Sequence, residues 1–315
     1  MHPIILSISR SFKWILFWIC IGGYTLAILL AVPFLLSFLP PNDQETLIFR
    51  FGLELAGANA IGLVIAIIGL LLSARVGLGM PFIEGAVSEK PIWIRTRGVL
   101  GLCILLSIGS IILVLLIGIV FTALSMALQQ DVLDAFANLD ESTYPSIWKW
   151  FLVSFHAGIS EEIFFRLGLM TIFVWIGNFV HREHVGRPGN LVMWVSIVAA
   201  GFSFGIAHLW GVLPVPDILI LKSSIVVQNS MIGILFGWLY WKFGLESAIL
   251  THILVDIGFY VVFIPVTRSN SFVLIGLALV SLIFIVSWAW KAIESDRLVT
   301  DRLALRDENS VVEGS

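Results

Sequence analysis

Long, nearly uninterrupted runs of apolar residues dominate the pattern along the chain, and short polar or turn-forming segments separate them. The hydrocarbon core of a bilayer is about 30 Å thick, so a helix needs about 20 apolar residues to cross it. Eight runs are long enough: Lys13–Leu39, Phe51–Ser73, Val99–Leu128, Ile147–Phe179, Leu191–Trp210, Leu219–Phe243, Leu245–Val266 and Phe272–Ala292. The pattern therefore predicts an all-α, polytopic membrane helix bundle with about eight transmembrane helices.

The distribution of lysine and arginine predicts how these helices are oriented. Basic residues accumulate before the first span, in alternate breaks between spans and after the last span, whereas the other breaks carry few. Cytoplasmic loops of membrane proteins are enriched in Lys and Arg. Both termini are therefore expected to be cytoplasmic, and the acidic segment Gln129–Tyr144 is expected to be external.

Composition and charge narrow the function classes further. Of 315 residues, 59% are hydrophobic and 12% are charged, whereas a soluble domain has roughly 25% charged residues. This excludes a soluble globular enzyme and a disordered chain. The net charge of −3 argues against a nucleic-acid partner, which requires a concentrated basic surface. We expect a multi-pass integral protein of the cell membrane that is surrounded by lipid.

Two carboxylates and an arginine lie inside the fourth apolar run, at Glu161, Glu162 and Arg166. A charge near the centre of a membrane helix costs about 2.5–3.5 kcal/mol, so such residues need partners and indicate function. Glu162 and Arg166 are four residues apart, hence on one face of a helix, and can form an ion pair. On a regular helix Glu161 points about 100° away from Glu162, so it is not the natural partner of Arg166. Its carboxylate is therefore a candidate for a functional role.

Further ionisable residues lie in two later apolar runs. His208 is in the fifth run, and His252 and Asp256 are four residues apart in the seventh, which places these two on one face. Each would be costly in lipid unless they converge with Glu161 on a shared wet cavity. Such a cavity would contain a general base and polar groups able to hold a water molecule and a carbonyl. These are the groups that a hydrolytic reaction requires.

Three sequence motifs carry a resemblance to a known family. They are Glu-Glu-x-x-x-Arg at Glu161, Glu162 and Arg166, Phe-x-x-x-His at Phe204 and His208, and His-x-x-x-Asn/Asp at His252 and Asp256. In this order they resemble the motifs of the CPBP family, the membrane proteases related to the CAAX prenyl endopeptidase and also called Rce1-like or abortive-infection proteins. The resemblance covers roughly Ile147 to Phe263, and the first three spans match no family that we can name. We therefore expect three regions: an N-terminal three-span membrane region at 1–144, a protease core at 145–265, and a last span with a polar tail at 266–315.

The family resemblance also implies an activity and a first set of roles. The protein would be a glutamate-dependent intramembrane endopeptidase that hydrolyses a peptide bond in a membrane-associated protein or peptide, which could be a prenylated CAAX substrate. Glu161 would be the general base that activates water, assisted by His208. The sequence does not indicate an oligomeric state.

The remaining motif residues would assist the reaction or support the site. His252 and Asp256 would stabilise the oxyanion or orient the peptide carbonyl. Because an ionised carboxylate cannot donate a hydrogen bond to an oxyanion, Asp256 is expected either to be protonated or to orient His252 through a hydrogen bond. The supporting residues would be Glu162, Arg166 and Phe204.

No cofactor is expected, although zinc is an alternative. The chain lacks His-Glu-x-x-His, and the candidate residues come from separate helices. Glu161, His208 and His252 together could nevertheless form an open zinc site with two imidazoles and one carboxylate.

Two non-enzymatic functions are also considered. A proton-coupled transporter could use the same Glu and His residues as a relay, but it would favour an internal repeat with broken helices in both halves, and the ionisable residues instead crowd into spans four to seven. A catalytically silent relative that binds a membrane partner is the other alternative.

Straight helices would keep the two catalytic histidines apart. His208 would lie near the external end of its span and His252 nearer the cytoplasmic end. We therefore expect irregular structure in the long fourth span, or a re-entrant continuation of the fifth span through Gly211–Pro216, since broken backbone is tolerated where it lines a cavity.

Two other sets of polar residues in the spans have less specific interpretations. His156 is expected to be a packed, hydrogen-bonded residue of the core. Gln228, Asn229 and Ser230 could line the cavity or form hydrogen bonds between helices.

Overall fold

The computed structural model describes residues 12–38, 44–87, 93–128, 145–181, 188–210, 218–268, 276 and 279–295. Within these ranges 95% of the residues are helical and no strand occurs. The helices are α1 (Phe12–Leu35), α2 (Gln44–Val76), α3 (Pro81–Val87), α4 (Trp93–Ala127), α5 (Ile147–Val180), α6 (Asn190–Ala207), α7 (Leu219–Phe243), α8 (Leu245–Arg268) and α9 (279–295). The predicted polytopic helix bundle is confirmed.

Seven helices in the described part of the chain are long and apolar enough to cross a membrane: α1, α2 and α4 to α8. They correspond to the first seven predicted spans. The eighth, Phe272–Ala292, lies partly outside the described residues, and its remainder is helical in α9. The external segment Gln129–Tyr144 and the re-entrant segment Gly211–Pro216 also lie outside the described residues, and the orientation of the termini stays a prediction.

The short helix α3 was missed by the sequence pattern, which gave only a break in this region. Its first residue is Pro81, a residue well suited to the first position of a helix. Glu246 of α8 accepts hydrogen bonds from the backbone N–H groups of Phe82 and Ile83, at 3.0 and 2.9 Å. These donors have no partner within their own helix, so a side chain distant in sequence stabilises the start of α3.

Glycines bring the helices that carry the site into close contact. A Cβ at Gly205 of α6 would lie 2.5 Å from the Val226 carbonyl oxygen of α7. A Cβ at Gly69 of α2 would overlap the carbonyl oxygen of Leu167 in α5. Small residues let the backbones of membrane helices approach closely, and here they fix α5 and α6 against their neighbours.

Two of the spans depart from regular α-helix near the ionisable residues. Helix α5 is α-helical at Ile147–His156 and Thr171–Val180, with π-helical turns at Ala157–Glu161 and Ile163–Met170 between them. Helix α8 contains a π-helical segment at Ile257–Phe263. Such turns are frequent at functional sites. The irregularity expected in the fourth span is confirmed, and it occurs where the two carboxylates lie.

Candidate functional site

The first group at the site is a buried network around Glu162. Its carboxylate forms an ion pair with Arg166, with Nε 3.1 Å from Oε2, and both side chains are 0% exposed. The other carboxylate oxygen, Oε1, accepts a hydrogen bond from Nδ1 of His252 at 2.8 Å. The Arg166 guanidinium donates through Nη2 to the Gly233 carbonyl oxygen of α7 at 3.0 Å. This network connects α5, α7 and α8, and it confirms the predicted pairing of Glu162 with Arg166.

The second group is an accessible pair on α5 and the end of α6. Oε2 of Glu161 lies 3.9 Å from Nε2 of His208, and each side chain is 32% exposed. Nδ1 of His208 lies 2.8 Å from the Phe204 carbonyl oxygen, to which it donates, because a carbonyl can only accept. In the neutral ring, Nε2 then carries the lone pair and faces the carboxylate. The distance is too long for a direct hydrogen bond, and Oε2 of Glu161 is itself buried without a hydrogen-bond partner among the described residues, although about a third of the side chain as a whole is exposed.

Asp256 lies beside His252 but does not orient it as the sequence suggested. Its Oδ2 is 3.8 Å from Nε2 of His252, which is too long for a hydrogen bond. Of the two alternatives for Asp256, the hydrogen bond with His252 is therefore not formed, and Glu162 is the partner at Nδ1. Protonation of Asp256 stays a prediction. The Asp256 side chain is 18% exposed. The exposed fraction of Asp256 is therefore smaller than that of Glu161 and His208 and larger than that of Glu162 and Arg166.

Phe204 lies between the two histidines and brings them to one place. Its ring centroid is 4.5 Å from that of His208 and 5.8 Å from that of His252. The Arg166 guanidinium lies 4.5 Å from the same ring, within the range of a cation–π contact. The difficulty that straight helices posed is thereby removed, since both imidazoles contact the same buried side chain.

Two residues near the site were not identified from the sequence. Phe236 of α7 is fully buried and stacks on the His252 ring, and Gly233 supplies the carbonyl that Arg166 binds. Neither carries a recognisable signal, because a lone phenylalanine or glycine in an apolar helix is ordinary.

Two of the other polar candidates, His156 and Gln228, have partners in neighbouring helices. Nδ1 of His156 lies 3.1 Å from the Ala27 carbonyl oxygen of α1, so the hydrogen-bonded core position expected for it is confirmed. Gln228 donates to the Val114 carbonyl oxygen of α4 at 3.1 Å, which favours the interpretation as a hydrogen bond between helices.

The alternative zinc ligands do not form a metal-binding group. Among the residues that the structure describes, no three His, Cys, Asp or Glu side chains are grouped so that they could hold a metal ion. Nδ1 of His252 donates to Glu162, so Nε2 is its remaining nitrogen, and Glu161 faces His208. Glu161, His208 and His252 are thus not grouped as ligands in this arrangement, and the expectation that no cofactor is needed stays a prediction.

Comparison with curated proteins and with solved structures gives no match. A family model does match, and the matched segment contains all three motifs. Residues 143–258 match the family described as type II CAAX prenyl endopeptidase Rce1-like, which confirms over this segment the family that the motifs predicted and supports, at the general level, a multi-pass membrane protease.

Proposed function

We propose that the protein is an intramembrane endopeptidase that hydrolyses a peptide bond of a membrane-associated protein with a water molecule activated by Glu161 and His208. The observation that carries the proposal is the accessible pair, with 3.9 Å between carboxylate and imidazole and about a third of each side chain exposed. The neighbouring carboxylate of Glu162 is fully buried and already paired. Of the two adjacent acids, Glu161 is thus the one that can meet substrate and water.

In the proposed reaction a water molecule donates one hydrogen bond to Glu161 and the other to Nε2 of His208. Glu161 takes a proton as the water oxygen attacks the scissile carbonyl carbon, and the carbonyl π electrons move to oxygen to form the oxyanion. Collapse of this tetrahedral intermediate breaks the C–N bond, and the proton on Glu161 passes to the leaving amine. General acid–base catalysis of this kind contributes typically about 10²–10⁴-fold.

His252 is the proposed donor to the oxyanion. Its Nδ1–H donates to Glu162 at 2.8 Å, which leaves Nε2 directed away from the buried network. When the ring carries both protons, Nε2–H can stabilise the developing negative charge, as preorganised donors do in other hydrolases. Asp256, 3.8 Å from Nε2, would balance the charge of this imidazolium.

The proposed substrate class comes from the matched family and is a prenylated protein or peptide with a CAAX terminus. The location proposed for the reaction is the cell membrane. Two fluorogenic CAAX peptides that differ only in the isoprenoid on cysteine test the substrate class with the purified protein in lipid nanodiscs. Faster cleavage of the prenylated peptide is expected. Equal rates would show that the isoprenoid is not recognised.

The catalytic roles are tested in the same assay with two substitutions and matched controls. We expect Glu161→Gln and His208→Gln to lower kcat by about 10²–10⁴-fold. The controls are Glu294→Gln and His181→Gln, which change the same residue types at exposed positions away from the site. Cleavage by both site variants at the parent rate would refute the proposed roles. A parent protein that binds the peptide without cleaving it would instead indicate a silent relative.

A further inference from the structure

A second phenylalanine, Phe236 of α7, stacks on the imidazole of His252. The two ring centroids are 4.7 Å apart, and the ring planes differ by 24°, which is a stacked arrangement. Phe236 is 0% exposed. The Arg166 guanidinium lies 5.3 Å from the centroid of its ring. One phenyl ring therefore contacts both the proposed oxyanion donor and the cation that pairs with Glu162.

Phe204 closes the same imidazole from another direction. Its ring meets the His252 ring nearly at right angles, at 81° and 5.8 Å. The two phenylalanines also contact each other, at 6.4 Å and 75°. The His252 ring thus has one face covered by Phe236 and a second contact with Phe204, so the two aromatic side chains restrict rotation of the imidazole.

Restricting this rotation matters because the ring torsion of histidine is broad and roughly two-fold. A ring turned by about half a revolution about this torsion would put Cδ2 where Nδ1 lies and Cε1 where Nε2 lies. Nδ1 would then no longer donate to Glu162, and Nε2 would no longer face Asp256. The hydrogen bond to Glu162 favours one orientation, but a single bond leaves the plane of the ring free to tilt.

We infer that Phe236 is a positioning residue for the proposed hydrolysis, because its ring holds the imidazole of His252 in the plane that directs Nδ1 to Glu162 and Nε2 to the reacting carbonyl. The inference rests on the proposed function for its catalytic consequence, although the geometry it describes can be measured without substrate. This positioning role differs from a role in packing alone. Packing would require only an apolar side chain of similar volume at position 236, whereas positioning requires a flat ring.

Substitutions that keep apolar bulk but remove the ring separate these two roles. The test variants are Phe236→Leu and Phe236→Met, and Phe236→Tyr retains the ring. Phe34→Leu is the matched control, because Phe34 is a phenylalanine of α1 that is 5% exposed and packs on Trp150 at 4.6 Å. The control loses the same atoms from a buried aromatic contact that does not involve the site.

Two measurements are made on each variant in nanodiscs: steady-state cleavage of the prenylated peptide, and ¹⁵N NMR of imidazole-labelled histidine with His252 assigned by substitution. We expect Phe236→Leu and Phe236→Met to lower kcat by about tenfold or more with KM little changed, since a displacement of ~1 Å can cost about a hundredfold. Their His252 ¹⁵N signals should shift toward a mixture of tautomers. Phe34→Leu and Phe236→Tyr should keep the parent signals.

The outcomes distinguish failure of this inference from failure of the proposed function. If Phe236→Leu and Phe34→Leu have the same kcat and the same His252 signals, Phe236 is a packing residue and the inference is overturned. If the parent protein does not cleave the peptide, the proposed function fails, and the NMR comparison still decides whether Phe236 orients the ring. A Leu variant that does not fold is replaced in both comparisons by the Met variant.

Discussion

Replacing Arg166 by methionine would leave the fully buried carboxylate of Glu162 without its cation. This substitution removes the buried ion pair between Arg166 Nε and Glu162 Oε2, which are 3.1 Å apart. It also removes the hydrogen bond from Arg166 to the Gly233 carbonyl oxygen. The cation–π contact with Phe204 at 4.5 Å is also lost. Breaking a buried pair by removing one partner costs about 3–5 kcal/mol. That is a large part of the 5–15 kcal/mol that stabilises a typical protein.

The two free cysteines provide an assay for this loss. Cys20 and Cys103 are both buried, so a thiol-reactive fluorogenic dye labels them when the bundle opens. Where labelling follows the equilibrium population of the open state, the expected loss raises the labelling rate about 100-fold or more, because each 1.4 kcal/mol is a factor of ten. Lys291→Met, at an exposed position of α9, is the matched control.

A double substitution tests the reason for the effect. Removing both charges with Glu162→Gln and Arg166→Met leaves no uncompensated buried charge, and such replacements are often close to neutral. The double variant should therefore label more slowly than Arg166→Met alone. Labelling of Arg166→Met at the rate of Lys291→Met, or a double variant less stable than the single one, would refute the reasoning.

Three further predictions concern neighbouring positions. Asp256→Asn should lower kcat, because Asp256 lies 3.8 Å from Nε2 of His252 and is the proposed counter-charge of its imidazolium. An unchanged kcat in the peptide assay would show that this charge is not required. A Cβ in Gly233→Ala would lie 3.2 Å from Cδ1 of Phe204, so this variant should lower kcat, and an unchanged kcat would contradict the close packing. Burial raises the pKa of Glu84 above its ordinary value of 4.5, and the Met80 N–H only partly offsets this. The folded state then binds more protons than the unfolded state, so stability is lost as pH rises above about 4.5. Glu84→Gln should make the stability measured by thiol labelling less dependent on pH. An unchanged dependence would show that other groups cause it.

The spans and the local ion pair could be predicted from the sequence because each depends on residues close together in the chain. A helix in lipid must satisfy its backbone hydrogen bonds internally, so the length of an apolar run is nearly sufficient to define it. Glu162 and Arg166 are one helical turn apart, and their pairing follows from the same periodicity.

The rest of the site depends on contacts between helices, which no local pattern encodes. The hydrogen bond from His252 to Glu162 joins residues 90 positions apart. The start of α3 is stabilised by Glu246, a residue 164 positions away from Phe82. Phe236 is one of 23 phenylalanines in the chain, and only its position against His252 distinguishes it. Periodicity also assumes a regular helix, whereas α5 is π-helical around its carboxylates.

Glu161 and Glu162 are adjacent carboxylates in very different surroundings. Glu162 is 0% exposed, and both of its oxygens face donors, Arg166 on one side and His252 on the other. A carboxylate with a cation on one side and a hydrogen-bond donor on the other is a structural anchor, since removing the cation would leave its buried charge uncompensated. Glu161 lies at the end of a π-helical turn and is 32% exposed beside His208. Because a general base must reach the water it activates, accessibility and not residue type separates the two. The same substitution at each position is therefore the decisive comparison. Glu162→Gln should destabilise the bundle in the thiol-labelling assay, whereas Glu161→Gln should lower kcat by about 10²–10⁴-fold with little change in labelling. If the two variants lose stability and activity in the same proportion, this division of labour is wrong.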